Sequence, residues 1–162
     1  MTASTETGAE PRDALTRPIV VGVDIHPASD AALLVAAELA RRLGTRLHVV
    51  HVLDDEDQPI DPDASDWERE IARQLAEQRE RVERALGDAS GWDYQQQRGD
   101  PAATLGRVAQ DSGAALVVVG ASGKGIPQRL LRPGLSETLA HHQPLPVLVV
   151  PAPSTQRGKA RE

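Results

Sequence analysis

The residues best suited to chemistry form a glycine-rich loop directly after a run of valines. Gly120, Gly123 and Gly125 flank Lys124 in the segment GASGKG. Because glycine has no Cβ, the backbone N–H groups of such a loop can approach a phosphate closely, and Lys124 can add a positive charge. The same segment also fits a flexible connection between a strand and a helix, with Lys124 as a solvated lysine. Spacing alone leaves both interpretations open.

A second candidate is Asp24, which follows the apolar run 18–23. A carboxylate at the carboxyl end of a buried strand can accept hydrogen bonds from ribose hydroxyls or from an adenine amine. It fits equally well a turn residue that leads the chain into the next helix. Both roles for Asp24 stay open at this point.

No catalytic or metal-binding pattern accompanies these residues. The chain has no Cys, which excludes disulfides, thiolate ligands and a cysteine nucleophile. Ser29, Ser122 and Ser136 lack the G-x-S-x-G context of a serine nucleophile. His26 and His51 are expected near the rim of a pocket, but no carboxylate stands at the spacing that metal ligands need. We therefore expect a binding protein, with neither catalytic residues nor a metal site.

Length and charge limit the class of protein further. With 162 residues, 40% apolar and 26% charged, the chain fits one globular domain with one core. The net charge of −6 repels nucleic acid, and three aromatic residues build no stacking platform. Segment 1–17 is polar and acidic, so it predicts neither a signal peptide nor a membrane anchor. We expect a cytoplasmic domain over 18–151, with disordered tails at 1–17 and 152–162.

The elements that must position these residues alternate between strand and helix. Short runs rich in Val, Ile and Leu alternate with helical segments, which predicts an α/β fold with a doubly wound parallel sheet and helices on both faces. The predicted strands are 18–23, 46–52, 92–97, 116–119 and 146–150. The predicted helices are 31–43 with Ser29 as N-cap and Gly44 after it, Ser65 to Leu86, Pro101 to Gln110 with Asp100 as cap, and a short one over 135–141.

Such a sheet also predicts where a ligand binds. In doubly wound sheets the ligand lies outside the carboxyl ends of the strands, where the strand order reverses. The positions at those ends are Asp24, Val52, Gly99 and Gly120.

Taken in order, five segments of the chain resemble the universal stress protein family. They are IVVGVD at 19–24, LHVVHV at 47–52, GDP at 99–101, VVVGASG at 117–123 and PLPVLVV at 144–150. The resemblance covers about 18–151. It implies a stress-response protein with a five-stranded parallel sheet of order 3-2-1-4-5. It also implies a homodimer formed through the last strand, Val147 to Val150.

One branch of that family binds ATP through a pattern of Gly, two residues, Gly, nine residues, then Gly with Ser or Thr. Gly120 and Gly123 match the first half of the pattern. Pro133 and Gly134 occupy the positions of the later Gly and of the Ser or Thr. Proline has no N–H and glycine has no hydroxyl, so two phosphate donors that the resemblance would supply are altered.

The rest of the implied site matches better. The N–H groups of Gly134 and Leu135 and the hydroxyl of Ser136 can replace part of the phosphate contacts. By resemblance, Asp24 would meet the nucleoside and the backbone at Val52 would meet adenine. The implied ligand is ATP or another adenine nucleotide such as AMP, with or without Mg²⁺. Losing two neutral hydrogen bonds costs about 1 to 3 kcal/mol, which weakens ATP binding by about ten- to a hundredfold.

Two alternatives remain at this stage. The altered pair Pro133–Gly134 also fits a protein-interaction module that binds no nucleotide and acts through its dimer surface and the acidic helix from Ser65 to Leu86. Slow hydrolysis of bound ATP is the other, although the sequence offers no general base for it.

Overall fold

Five strands form one parallel sheet in the computed structural model, which describes residues 16–54, 66–121 and 145–153. The strands are β1 Ile19–Val23, β2 Leu47–Leu53, β3 Trp92–Arg98, β4 Leu116–Gly120 and β5 Val147–Val150. Their order is β3-β2-β1-β4-β5, and every neighbouring pair is parallel. The α/β class, the doubly wound sheet and the implied strand order are confirmed.

The described helices are α1 Pro27–Leu43, α2 Trp67–Leu86 and α3 Pro101–Asp111. Three of their predicted ends are confirmed, and one of them is the end of α2 at Leu86. Gly44 follows α1 with φ 64°, a left-handed conformation that glycine adopts without strain. Asp100 caps α3, because its side chain accepts a 2.8 Å hydrogen bond from the Ala103 N–H.

The predicted start of α1 is wrong. The helix begins at Pro27 with His26 as N-cap, so Ser29 lies in its first turn. Proline fits the first helical position because that residue's N–H would have no intrahelical partner. The hydroxyl of Ser29 accepts a 2.7 Å hydrogen bond from the Asp24 N–H instead of capping the helix.

Other predictions fall on residues that the structure does not describe. At the start of α2 the N-cap is Asp66, and the predicted cap Ser65 lies outside the described residues. The short helix over 135–141 and most of both predicted tails also lie outside them. None of the helices in the described part of the chain is long and apolar enough to cross a membrane.

The helices cover opposite faces of the sheet. On one face, α1 and α2 pack against Val21, Val49 and Val118. On the other face, α3 packs against Val20 and Val117. The central strands are buried on both faces, which explains why their sequences are continuous apolar runs.

The path of the chain produces a crevice between β1 and β4. After β1 the chain passes over one face through α1 to β2, and after β3 it returns over the other face through α3 to β4. The connections that leave β1 and enter β4 therefore lie on opposite sides of the sheet. The strand order reverses between β1 and β4, and in such sheets a ligand binds outside the carboxyl ends of the strands at this point.

Candidate functional site

A cleft opens at the carboxyl ends of β1 and β4. It encloses about 390 Å³ of empty space, part of which is open to solvent. Its lining residues are Gly22, Val23, Asp24, Ser29, Val50, Val52, Pro101, Leu105, Val119 and Gly120.

The polar side chains among these lining residues are those of Asp24 and Ser29. The Asp24 side chain is 29% exposed, and its Oδ1 accepts a 2.8 Å hydrogen bond from the His26 N–H. The Nδ1 atom of His26 lies 3.3 Å from the same oxygen without good hydrogen-bond geometry. Asp24 thus shapes the turn into α1 through one carboxylate oxygen and lines the cleft.

The remaining walls are apolar and closely packed. Val50 and Val52 come from β2, while Pro101 and Leu105 come from the first turns of α3. A Cβ at Gly22 would lie 2.8 Å from the Leu105 Cδ1 atom. The glycine therefore allows α3 to approach β1, and Leu105, Val50 and Val52 form an apolar slot in the cleft.

Gly120 is required by the packing of α1. A Cβ at this position would lie 2.5 to 2.7 Å from backbone atoms of Ala28 and Ser29. The first turn of α1 therefore lies directly against the end of β4. This close approach gives Gly120 a structural role whether or not it also binds a phosphate.

The two histidines that were expected at the rim do not line the cleft. His51 is buried on the face covered by α1 and α2, and its Nδ1 atom is 3.4 Å from the Tyr94 hydroxyl. Burial lowers the pKa of His51, because charging a desolvated imidazole is unfavourable, and the nearby carboxylate of Asp24 opposes part of this effect. Burial likewise raises the pKa of the Tyr94 hydroxyl.

The structure brings three of the predicted site residues together. Asp24, Val52 and Gly120 all line the cleft, although they lie on three different strand ends. Gly99 does not line it; its N–H donates to the Leu53 carbonyl. The other predicted residues lie outside the described residues: Gly123, Lys124, Gly125, Gly134, Leu135 and Ser136.

The sequence did not indicate the other seven lining residues, which include Ser29, Pro101 and Leu105. The sequence pattern predicts Ser29 as a helix cap, and it predicts Pro101 and Leu105 as parts of a helix that follows a turn. One feature of the sequence could have placed Pro101 in the cleft: it starts the helix that follows β3. In such a sheet the starts of helices and the carboxyl ends of strands lie at the same edge. Nothing in the sequence pattern placed Ser29 against β1.

Comparison with known proteins assigns the family. The model of the universal stress protein family matches residues 16–151. The chain belongs to the universal stress protein family. No curated protein sequence matches it.

Solved universal stress proteins share its fold over most of their length. One from Burkholderia pseudomallei is 26% identical, with a TM-score of 0.56 over 85% of this chain and 98% of that one. One from Archaeoglobus fulgidus, solved in complex with dAMP, is 19% identical, with a TM-score of 0.56 over 84% and 98%. Another, in complex with cAMP, is 20% identical, with a TM-score of 0.57 over 85% and 98%. The last two similarities establish the fold alone.

The described part of the chain contains no group of three or more His, Asp or Glu side chains that could hold a metal ion. Its cleft offers a carboxylate, a hydroxyl and apolar walls. These groups can bind a part of a ligand that has both hydrogen-bonding groups and an apolar surface.

Proposed function

We propose that this member of the universal stress protein family is a stress-response protein that binds an adenine nucleotide, weakly, in the cleft between β1 and β4. One observation supports the proposal most strongly. Asp24 and Ser29 lie beside an apolar slot in one cleft, at the point where the strand order reverses. Solved members of the family in complex with cAMP and dAMP support the choice of an adenine nucleotide.

The nucleoside half of the ligand fits the described residues. The free lone pairs of the Asp24 carboxylate can accept hydrogen bonds from a ribose hydroxyl or an adenine amine. Val50, Val52 and Leu105 can cover the faces of the base. The phosphate half of the site would be formed by the loop from Gly120 to Ser136, most of which lies outside the described residues.

The residues that line the cleft support binding rather than catalysis. Nucleophilic catalysis by a hydroxyl needs an adjacent base. The hydroxyl of Ser29 accepts a hydrogen bond from the Asp24 N–H, and no histidine is among the cleft-lining residues of the described chain. We therefore propose that occupancy of the cleft, and not turnover, is the function.

Titration calorimetry with ATP, ADP, AMP and cyclic AMP tests the proposal. We expect a dissociation constant below about 1 mM for at least one of them, equivalent to about 4 kcal/mol of binding free energy. Asp24→Asn should weaken that ligand by about ten- to a hundredfold. The amide oxygen of Asn can still accept the bond from the His26 N–H, while the charge that strengthens the ligand bond is lost.

The matched control is Asp111→Asn, which removes the same charge at the C-terminal end of α3, far from the cleft. It should bind like the wild type. Absence of binding heat with all four nucleotides at millimolar concentration would refute the proposal.

The protein-interaction alternative gains little from the acidic helix. Along α2, Glu70 pairs with Arg73, Arg73 with Glu77, and Arg79 with Glu83. In each of these exposed pairs an acidic side chain is neutralised by a basic one on the same helix. This surface is therefore typical of a solvent-facing helix face. We propose that nucleotide binding is the better-supported function.

We also propose a homodimer formed through β5. In the described residues, β5 pairs with β4 on one side only, and Leu148 is 39% exposed beside its free edge. An apolar edge strand with unpaired backbone groups is a surface that proteins normally cover. A second copy of the chain can cover it by extending the sheet.

A further inference from the structure

Ser29 holds a buried hydroxyl at the wall of the cleft. The residue is only 3% exposed, and it lines the cleft beside Asp24. Its Oγ atom accepts a 2.7 Å hydrogen bond from the Asp24 N–H. A serine hydroxyl also has one proton to donate. Within residues 16–54, 66–121 and 145–153, no hydrogen bond uses that proton.

A buried donor without an acceptor is unfavourable. Buried polar groups in folded proteins nearly always have a partner, and leaving one without a partner is destabilising. A different side-chain rotamer of Ser29 would lose the bond that its hydroxyl accepts from the Asp24 N–H. An acceptor on a molecule bound in the cleft, which Ser29 lines, can supply the missing partner.

We infer that Ser29 is a ligand-binding residue whose hydroxyl donates a hydrogen bond to a neutral acceptor on the nucleoside. The inference rests on the proposed nucleotide-binding function and adds a residue to it. Ser29 as donor and Asp24 as acceptor form a pair that matches a ligand edge with an acceptor next to a donor. A ribose hydroxyl pair and the polar edge of adenine both have this arrangement.

The acceptor belongs to the nucleoside and not to the phosphate. The Asp24 carboxylate lines the same cleft as Ser29, and it would repel an anionic oxygen bound there. An anionic phosphate oxygen at the same place would be destabilised, whereas a neutral oxygen or ring nitrogen would not.

The position of Ser29 is also set from two sides. Its hydroxyl bonds to the residue after β1, and its backbone nitrogen lies within 2.7 Å of where a Cβ of Gly120 would be. The first turn of α1 thus connects the ends of β1 and β4 across the cleft. A donor held in this way loses little conformational freedom when a ligand binds.

The first measurement compares the wild type with Ser29→Ala and Ser29→Cys by calorimetry with AMP. Each variant should bind about five- to thirtyfold more weakly, because one neutral hydrogen bond to the ligand is lost. Cysteine nearly preserves the side-chain volume, so it decides the matter if the alanine variant does not fold. The control is Ser112→Ala, which removes a hydroxyl that donates to the Val108 carbonyl at the far end of α3. It should bind AMP like the wild type.

The second measurement separates direct contact from mere positioning of Asp24. Wild type and Ser29→Ala are titrated with AMP, adenosine, 2′-deoxy-AMP, 3′-deoxy-AMP, 1-deaza-AMP and 7-deaza-AMP. If Ser29 donates to one atom, the analogue that lacks this atom should bind the wild type at least about fivefold more weakly and lose nothing further in the variant. If Ser29 only positions Asp24, the variant should lose the same factor with every analogue, which would overturn the inference.

The remaining outcomes are distinguishable. If the wild type binds none of ATP, ADP, AMP and cyclic AMP, the proposed function fails and the role of Ser29 fails with it. If it binds another of these nucleotides but not AMP, both measurements use that nucleotide and its analogues. If the wild type binds AMP and both variants bind equally well, only the role of Ser29 is refuted. If the affinity lost in Ser29→Ala disappears only when adenosine replaces AMP, the hydroxyl donates to the phosphate. That result would overturn the assignment to the nucleoside.

Discussion

At the scale of single residues, Asp24 serves the turn, the cleft and the electrostatics of a buried histidine. One of its oxygens accepts the His26 N–H, and its carboxylate lines the cleft. Its charge also acts through the sheet on His51, where it opposes the effect of burial. The net effect is still a lowered pKa for His51, because desolvation is the larger contribution.

The lowered pKa makes a prediction about stability and pH. The unfolded chain binds a proton to His51 near its ordinary pKa of 6.5, before the folded chain does. The contribution of His51 to the free energy of unfolding should therefore be fully present above that pH. It should decrease as the pH falls below that value, by at most about 1.4 kcal/mol per pH unit.

Chemical denaturation of the wild type and His51→Gln between about pH 5 and pH 8 measures this contribution. The other titrating groups are common to both proteins, so their difference isolates His51. The stability of the wild type should decrease more steeply than that of the variant below about pH 6.5. Parallel curves would show that burial of His51 has no such effect.

At the scale of elements, the cleft depends on how closely α1 approaches β4. Gly120 ends the strand, and Ala28 and Ser29 lie where its Cβ would be. Both sides of this contact are backbone, which cannot rotate away as a side chain can. Any residue larger than glycine must therefore displace the start of α1.

Gly120→Ala should lower the free energy of unfolding by about 3 kcal/mol or more, since overpacking against backbone forces a shift of the helix. It should also abolish nucleotide binding, because Ser29 moves with α1. The comparison is Gly113→Ala, where φ is 63° and nothing lies within 4 Å of the added Cβ. That variant should lose only about 1 kcal/mol, from backbone strain, and keep its binding. Equal losses for the two variants, measured by urea denaturation, would contradict this account.

At the scale of the whole molecule, the two edges of the sheet have opposite character. The residues of β3 after Tyr94 are Gln95, Gln96, Gln97 and Arg98, and such a polar edge discourages pairing. In contrast, β5 consists of three valines and Leu148. The described sheet thus has one edge that resists association and one that favours it.

Leu148→Lys should convert the proposed homodimer to a monomer, because it places a charge beside the edge at which the two copies would pair. Leu34→Lys is the matched control, since Leu34 is 57% exposed on α1 and lies outside β5. Sedimentation velocity distinguishes the two states. A wild-type chain that sediments as a monomer at high micromolar concentration would refute the dimer through β5.

The sequence by itself determined the fold class, the strands of the sheet and the ends of α1 and α3 at Gly44 and Asp100. These features depend on local properties: apolar runs of strand length, a glycine that can adopt positive φ, and a carboxylate one turn from a free N–H. By resemblance it also indicated Asp24, Val52 and Gly120, which lie on three strand ends that a parallel sheet brings to the same edge.

Only the tertiary structure decided what Ser29, Gly120 and His51 do. Ser29 became part of the cleft because α1 starts at Pro27 and packs against the end of β4. His51 lies away from the cleft because the alternation of β2 turns its side chain toward α1 and α2. Each of these roles depends on the distance between elements that are far apart in the chain, and a pattern of residue types along one strand or helix contains no such distance.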